Sequence, residues 1–315
     1  MSQKQKWTPE MMPDYTGKVI VVTGANSGLG FEAVREFARR GGRIVMACRN
    51  LEKGDAALSQ LRTEQPAARA ELLHLDLGSL AGIRRFVGRV EETYDRLDVL
   101  LNNAGIMAVP YGTTEDGLER QMGVNHLGHF ALTGLLMDRL RAAEGARIVT
   151  VSSNAHRSGT MDFDNFLFEA GKDYTPMAAY GRSKLANLLF TLELQRRLEA
   201  DRSSALAAAS HPGLAFTNLA EHLQDRWYFK AAAPLLKLLG QNAHMGTLPS
   251  LRAASDPEIQ GGEYFGPGGF VQLKGYPEPV APAEAARDAE AAKTLWSRSE
   301  ELTGVRYFPA SELNS

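Results

Sequence analysis

From Lys18 to about Ser210 the chain alternates short β-branched apolar runs with longer helical patterns, and no other feature narrows its fold so far. Lys18–Thr23 (KVIVVT) is apolar throughout, as a strand covered on both faces of a sheet must be. It breaks at Gly24, and Phe31–Arg40 resumes with helical spacing until Gly41-Gly42 end it. The unit then repeats. Arg43–Cys48, Ala70–Leu75, Leu97–Leu101, Ala146–Ser152 and Ala205–Ser210 read as strands. Between them, Leu51–Thr63, about Ser79 to Tyr94, roughly Leu118–Ala143 and Pro176 to about Ala200 read as helices. Pro176 suits a first helical turn and Thr175 is placed to cap it. Strands alternating with helices predict an α/β fold: a doubly wound parallel sheet, Rossmann-type, in a single domain. Residues 1–17 read as an N-terminal extension and 18–315 as the domain, with no repeat, low-complexity tract or Pro/Gly-rich linker to divide it.

Charge and apolar runs exclude several classes. The formal net charge is −2, so no global field gathers nucleic acid. Cys48 is the only cysteine, which excludes an internal disulfide and fits a reducing compartment. The stretch MSQKQKWTPEMMPDYTGK is too polar for a signal peptide, and no run approaches the ~20 apolar residues of a membrane span. Ala231–Gly240 comes nearest but is short and holds Lys237. A cytoplasmic protein without a membrane span is the expectation. No metal is expected either: His126, His129, His156, His211 and His244 lack ligand spacing and read as structural or surface residues.

Thr23-Gly24-Ala25-Asn26-Ser27-Gly28-Leu29-Gly30 falls where the first strand meets the first helix. Glycines at such a junction allow a tight turn and let backbone N–H groups approach a pyrophosphate at the helix N-terminus. The spacing is G-x-x-x-G-x-G rather than G-x-G-x-x-G, and position, more than the glycines themselves, marks it as a dinucleotide loop. The end of the second strand bears on which dinucleotide. An acid there would hold the ribose 2′-hydroxyl of NAD, and an arginine accommodates the 2′-phosphate of NADP. Ala47-Cys48-Arg49-Asn50 has no acid, so Arg49 points to NADP(H), with NAD(H) left open.

Tyr180-Gly181-Arg182-Ser183-Lys184 places a phenol and an ammonium four residues apart, on one face of a helix. Of the 9 tyrosines it is the only one with lysine at that spacing. A free phenol has a pKa near 10, and a neighbouring ammonium is expected to bring it toward a working range. With these residues in view, the chain resembles the short-chain dehydrogenases/reductases. TGANSGLG, NNAG at Asn102–Gly105, Asn125 in GVNHLGHF, Ser153 after RIVTVS, YGRSK, and His211-Pro212-Gly213 with Thr217 beyond it stand in that family's order over about residues 18–220.

The resemblance implies roles. Tyr180 would exchange the proton with the substrate oxygen, Ser153 would hold that oxygen, Lys184 would bind the nicotinamide ribose and lower the tyrosine pKa, and Asn125 would anchor a water. Gly24, Asn26, Ser27, Gly28, Leu29, Gly30, Arg49, Asp76, Leu77, Asn103, Ala104, Gly105, Pro212, Gly213 and Thr217 would line the cofactor. It also implies a homodimer or homotetramer, built through the helices near 118–143 and 176–200.

Ser153 and Tyr180 are about twice as far apart as in typical members. That spacing, the AYGRSKLANLLFTLELQRRL segment and the ACRN strand end are similar to the retinol-dehydrogenase-like branch and its WW-domain oxidoreductase relatives, which act with NADP(H) on apolar alcohols and aldehydes. The expected activity is hydride transfer between NADP(H) and a small apolar carbonyl or alcohol. Residues 214–250, with Leu219, Leu223, Trp227, Tyr228, Phe229, Leu235 and Leu236, are expected to cover the substrate. A non-catalytic cofactor sensor of the same fold would have no need of Asn125, Ser153, Tyr180 and Lys184 together. A sugar-nucleotide epimerase would carry another glycine spacing and a longer C-terminal part.

Overall fold

Val19–Thr23 forms β1, and its side chains alternate between two cores: Val19 and Val21 enter one buried cluster, Ile20 and Val22 the other. A strand covered on both faces needs helices on both sides of its sheet, and the computed structural model, which describes residues 6–214 and 240–308, has them. The strands are β2 (Arg43–Cys48), β3 (Arg69–His74), β4 (Val99–Asn102), β5 (Arg147–Val151), β6 (Leu206–Ser210), β7 (Tyr264–Pro267) and β8 (Pro277–Pro279). They lie in the order β3-β2-β1-β4-β5-β6-β7-β8. Every pair from β3 to β7 is parallel, and only β8 runs antiparallel, against β7. The fold is therefore the expected doubly wound sheet. The order reverses between β1 and β4, and the crevice that opens at their carboxyl ends is where this architecture receives a ligand.

Helices α1 (Gly28–Arg39) and α2 (Leu51–Glu64) cover one face, and α3 (Leu80–Thr93) the other. Asn50, Ser79 and Thr175 cap α2, α3 and the later helix α7 (Pro176–Ala200) through their side chains, accepting the N–H groups of Lys53, Gly82 and Ala178. The expected helix across Leu118–Ala143 is broken instead. It runs as α4 (Arg120–Met122), a π-turn (Gly123–Leu127), α5 (Gly128–Leu135) and α6 (Met137–Arg141). Close packing accounts for the interruption: a Cβ on Gly128 would lie 2.4 Å from the Leu77 carbonyl oxygen, and one on Gly123 would lie 2.5 Å from Thr114 Cγ2. The widened turn carries the backbone past both.

Two helices beyond the read pattern complete the layers: α8 (Ala243–Ser255) beside α1, and α9 (Ala289–Thr303) on α7. Strand β7 extends the sheet beyond β6, and its Gly266 sits where a Cβ would meet the His211 ring at 2.0 Å. The N-terminal stretch packs into the α1–α8 core through buried Trp7, Met12 and Tyr15, whose hydroxyl donates to the Ala254 carbonyl at 3.0 Å.

Trp296 of α9 is 2% exposed and joins Phe130, Phe190 and Tyr307, with the Arg197 guanidinium 4.3 Å from its ring centre. Thus α9 packs against α5 and α7, the two helices through which an assembly was expected. Trp296→Ala should cost about 3–5 kcal/mol, the usual range for truncating a buried aromatic. A urea unfolding midpoint that moves by less than a third of that, at constant m, would show that α9 contributes little to the core.

Candidate active site and cofactor cradle

The cradle forms where β1 ends. Gly24 (φ +66°) and Gly28 (φ +53°) hold the left-handed backbone that turns β1 into α1. Gly30 is dictated by contact, since a Cβ there would lie 2.3 Å from the Gly24 carbonyl oxygen and 2.7 Å from Asn103 Nδ2. Ser27 stands at the N-cap of α1, yet its hydroxyl makes no capping bond. The first N–H groups of α1 are thus left for an anion, with the positive end of the helix dipole behind them. Thr247 of α8 braces the loop by donating to the Leu29 carbonyl at 2.7 Å.

Neighbouring strand ends bring in the remaining expected residues. Thr23 pairs in register with Ala47, whose carbonyl accepts the Gly24 N–H at 2.9 Å, so Arg49 emerges beside the loop. Its side chain is exposed and makes no hydrogen bond or ion pair among the described residues. Asp76 and Leu77 follow β3; Asp76 Oδ1 accepts the Gly78 N–H at 2.8 Å, and Leu77 is buried. After β4, the N–H groups of Asn103 and Ala104 both donate to Thr23 Oγ1 at 2.9 Å. Past β6, Gly213 (φ +64°) donates its N–H to His211 Nδ1, and the Pro212 carbonyl accepts from Gln241 Nε2. Asn26 sits within the loop itself, partly buried. Thr217 and the apolar set Leu219–Leu236 lie outside the described residues.

Four side chains converge at the carboxyl end of β5. Ser152 and Ser153 divide their work: Ser152 Oγ donates to the Lys184 carbonyl at 2.7 Å, whereas Ser153 turns its hydroxyl toward Tyr180. His156 anchors the serine backbone. Its Nε2 accepts the Ala283 N–H, which leaves the Nδ1–H to donate to the Ser153 carbonyl at 2.6 Å. Lys184 Nζ donates to the Val151 carbonyl at 3.0 Å and lies where a Cβ on Gly105 would be 3.5 Å from it. Asn125, in the π-turn and fully buried, takes the Ile106 N–H on Oδ1 at 2.8 Å and donates to the Ile106 carbonyl and Ser183 Oγ at 2.9 Å each. It is no exposed mid-helix asparagine.

The electrostatics correct one expectation. Tyr180 is not lowered by Lys184 here: burial pushes its phenol up to about 12, and hydrogen bonding with Ser153 opposes the shift. Burial also draws the Lys184 ammonium down to about 8. Both groups lie in the same dry pocket, and the ammonium is held at the Val151 carbonyl, 5.7 Å from the tyrosine ring centre. Desolvation is the leading cause of both shifts.

Residues 18–226 match the family model described as short chain dehydrogenase. The chain belongs to the short-chain dehydrogenase family. It is similar to human retinol dehydrogenase 13, with 43% identity over 92% of this chain and 85% of that one. It is also similar to the human WW domain-containing oxidoreductase, with 38% identity over 93% and 70%. Among solved structures, an uncharacterised protein from Mycobacterium paratuberculosis aligns with a TM-score of 0.80 and 42% identity, covering 96% of this chain and 100% of that one. This dehydrogenase is thus an NAD(P)-dependent oxidoreductase of the retinol-dehydrogenase-like branch. No group of residues suited to a metal ion occurs among the described residues.

Three side chains around the site were missed as participants. Thr23 joins the two cofactor-side turns, Ser183 receives Asn125, and His129 touches both regions. The i, i+4 spacing of Asn125 and His129 on one helix was the signal available for the last. The dehydrogenase also buries His126, His129, His156 and His211. Burial draws His126 and His211 down to about 3 and His129 to about 4. An unfolded histidine titrates near 6.5, so below that pH the unfolded chain binds protons that the native chain refuses. The stability that neutral rings secure is complete above pH 6.5 and is lost as pH falls toward 4. Three such protons give a slope of up to about 4 kcal/mol per pH unit between pH 6 and 5. Glu119, raised by burial, offsets part of it. His126→Gln, which can still meet Ser299, should lower the slope by about one proton in urea titrations; an unchanged slope would refute this origin of acid sensitivity.

Proposed function

We propose that this dehydrogenase moves a hydride between NADP(H) and the carbonyl or alcohol carbon of a small apolar molecule, with Tyr180 as the acid and base. The observation that carries the proposal is the convergence of Ser153, Tyr180 and Lys184 beside Gly105, next to a glycine loop shaped for a dinucleotide phosphate. The residues fit that cofactor: the glycines leave room no Cβ could share, and among the described residues the Ser27 hydroxyl caps none of the first N–H groups of α1.

NADP(H), when bound, supplies or accepts the hydride. In reduction, the carbonyl carbon gains the hydride's two electrons and its hydrogen, and Tyr180 gives its phenolic proton to the oxygen. A phenol held near 12 is fully protonated at neutral pH, the form this step uses. In oxidation Tyr180 first gives its phenolic proton to solvent along the Asn125 route and then, as the phenolate, takes the alcohol proton as the hydride leaves the carbon. Ser153 holds the oxygen whose charge develops during either passage. Lys184 holds the ribose hydroxyls, and Asn125 fixes the route by which Tyr180 is reprotonated from solvent.

Two features support an apolar substrate. The relatives bear the name of an apolar alcohol, retinol. Tyr111, Met177 and Val271 also expose their apolar surface on segments bordering the site: Tyr111 packs on Tyr174, Met177 is one turn before Tyr180, and Val271 adjoins Gln272, which accepts from Asn154. Apolar aldehydes, retinal among them, are the first substrates to assay.

Tyr180→Phe removes one hydroxyl and little volume. It should lower turnover by at least about 10²-fold, the lower bound typical of general acid–base catalysis, and leave cofactor affinity nearly intact. A variant that keeps more than a tenth of the wild-type rate would exclude Tyr180 as proton donor.

The cofactor reading rests on Arg49. A guanidinium meets a 2′-phosphate with a planar hydrogen-bond fork, and one charge-assisted bond contributes roughly 1.5–3 kcal/mol, about 10- to 150-fold in affinity. Wild type should favour NADPH over NADH at least about tenfold in kcat/KM. Arg49→Asp should invert the order, because a carboxylate repels the phosphate and accepts from a free ribose hydroxyl. Both ratios, measured with one carbonyl substrate, check this; a mutant that still prefers NADPH would make Arg49 a bystander and shift selectivity to Asn26 and Ser27.

A further inference from the structure

His129 lies between the cofactor-side turns and the catalytic helix. Thr23 Oγ1 already accepts the N–H groups of Asn103 and Ala104, so its single hydrogen has to be given elsewhere. Two acceptors are in reach: His129 Nε2 at 3.0 Å and the Leu101 carbonyl at 3.3 Å. The opposite ring nitrogen decides between them. His129 Nδ1 is 3.0 Å from the Asn125 main-chain oxygen, which can only accept, so Nδ1 carries the proton. Burial keeps the ring neutral, and Lys184 nearby opposes any second proton. Nε2 is therefore an acceptor, and the Thr23 hydroxyl donates to it along the shorter contact.

The bonds then form one chain. It starts at the Asn103 and Ala104 N–H groups, passes Thr23 and crosses the His129 ring to the carbonyl of Asn125. The Asn125 side chain continues it to Ser183, whose hydroxyl donates to the Tyr180 carbonyl at 2.8 Å. All the side chains in the chain except those of the Asn103-Ala104 turn are buried, so water cannot stand in for a missing partner.

We infer that His129 is a positioning residue for the reaction, one that ties the setting of the Asn103-Ala104 turn to the Asn125 carbonyl and, through Ser183, to the backbone of Tyr180. The inference rests on the dehydrogenase reading above. Each side of the ring has its own task, so two conservative variants should separate them. His129→Asn places an amide N–H where Nδ1 was and keeps the bond to Asn125. His129→Gln places an amide oxygen where Nε2 was and keeps the bond from Thr23.

The test measures NADPH and NADH dissociation constants by fluorescence titration, together with kcat and KM for one aldehyde. His129→Phe should weaken cofactor binding and lower kcat, each about tenfold, the effect of one unmade buried hydrogen bond. His129→Asn should restore kcat to within about threefold but not the cofactor Kd, and His129→Gln should restore the Kd but not kcat. If the Phe variant does not fold, the opposed behaviour of the Asn and Gln variants still decides. Losses that run parallel in those two, tracking the folded fraction by near-UV circular dichroism, would overturn the inference. So would a folded Phe variant with unchanged constants. A wild type that binds neither NADPH nor NADH overturns the functional reading and this inference with it, whereas a wild type that binds while the variants show no split overturns this inference alone.

Discussion

The close approach of two turns, one after β1 and one after β4, sets the geometry on which the site depends. Gly24, Gly30, Ala104 and Asn103 come within van der Waals limits of each other, so near that a Cβ on Gly30 has no space at all. Thr23 fastens the two by accepting two N–H groups, and Asn103 Nδ2 donates back to the Thr23 carbonyl at 2.8 Å. Because β1 and β4 are neighbours at the point where strand order reverses, that fastening also defines the floor of the crevice. The start of α1, the end of β2 with Arg49, and the Gly105 edge facing Lys184 and Asn125 all take their positions from it. A shift of an ångström here would move the start of α1 relative to Lys184 and Asn125.

The second constraint is dryness. Tyr180 and Lys184 are both nearly fully buried, and each is pushed by burial toward its neutral form, the phenol up and the ammonium down. In an open site the ammonium would act mainly on the phenol. Here it acts first on the Val151 carbonyl, and Asn187 donates to that same oxygen at 3.1 Å. The lysine is thereby held in place before any ligand arrives.

Much of this was legible in the sequence because it is local. Short apolar runs ended by glycine or a cap place β1, β2, α2 and α7 within a residue or two, and the glycine loop is readable from its position at a strand–helix junction. What was not legible depends on distant partners. The π-turn at Gly123–Leu127 follows from contacts of Gly128 with Leu77 and of Gly123 with Thr114, and a helical period across Leu118–Ala143 carries no trace of them. Helix α9 reads as a polar stretch, AEAAKTLWSRSEELT, until Phe130, Phe190 and Tyr307 are set around its tryptophan. The tyrosine pKa was misjudged for the same reason. Spacing reveals which charge is four residues away, but burial comes from the whole fold.

The stretch between Ser153 and Tyr180 is held by hydrogen bonds as well as by the packing of Phe166 and its neighbours. Long loops carry backbone carbonyls that need partners. Arg182, the middle residue of YGRSK, supplies them from the catalytic helix: its guanidinium donates to the carbonyls of Thr160, Asn165 and Phe166 and lies 3.9 Å from the Phe168 ring centre. A lysine would offer a point charge at this site, whereas the planar fork meets several carbonyls at once and stacks on the ring. The inserted segment is therefore pinned two residues from Tyr180 and two from Lys184, on the helix that presents both. One side chain thus joins the inserted segment to the turn of α7 that carries Tyr180 and Lys184.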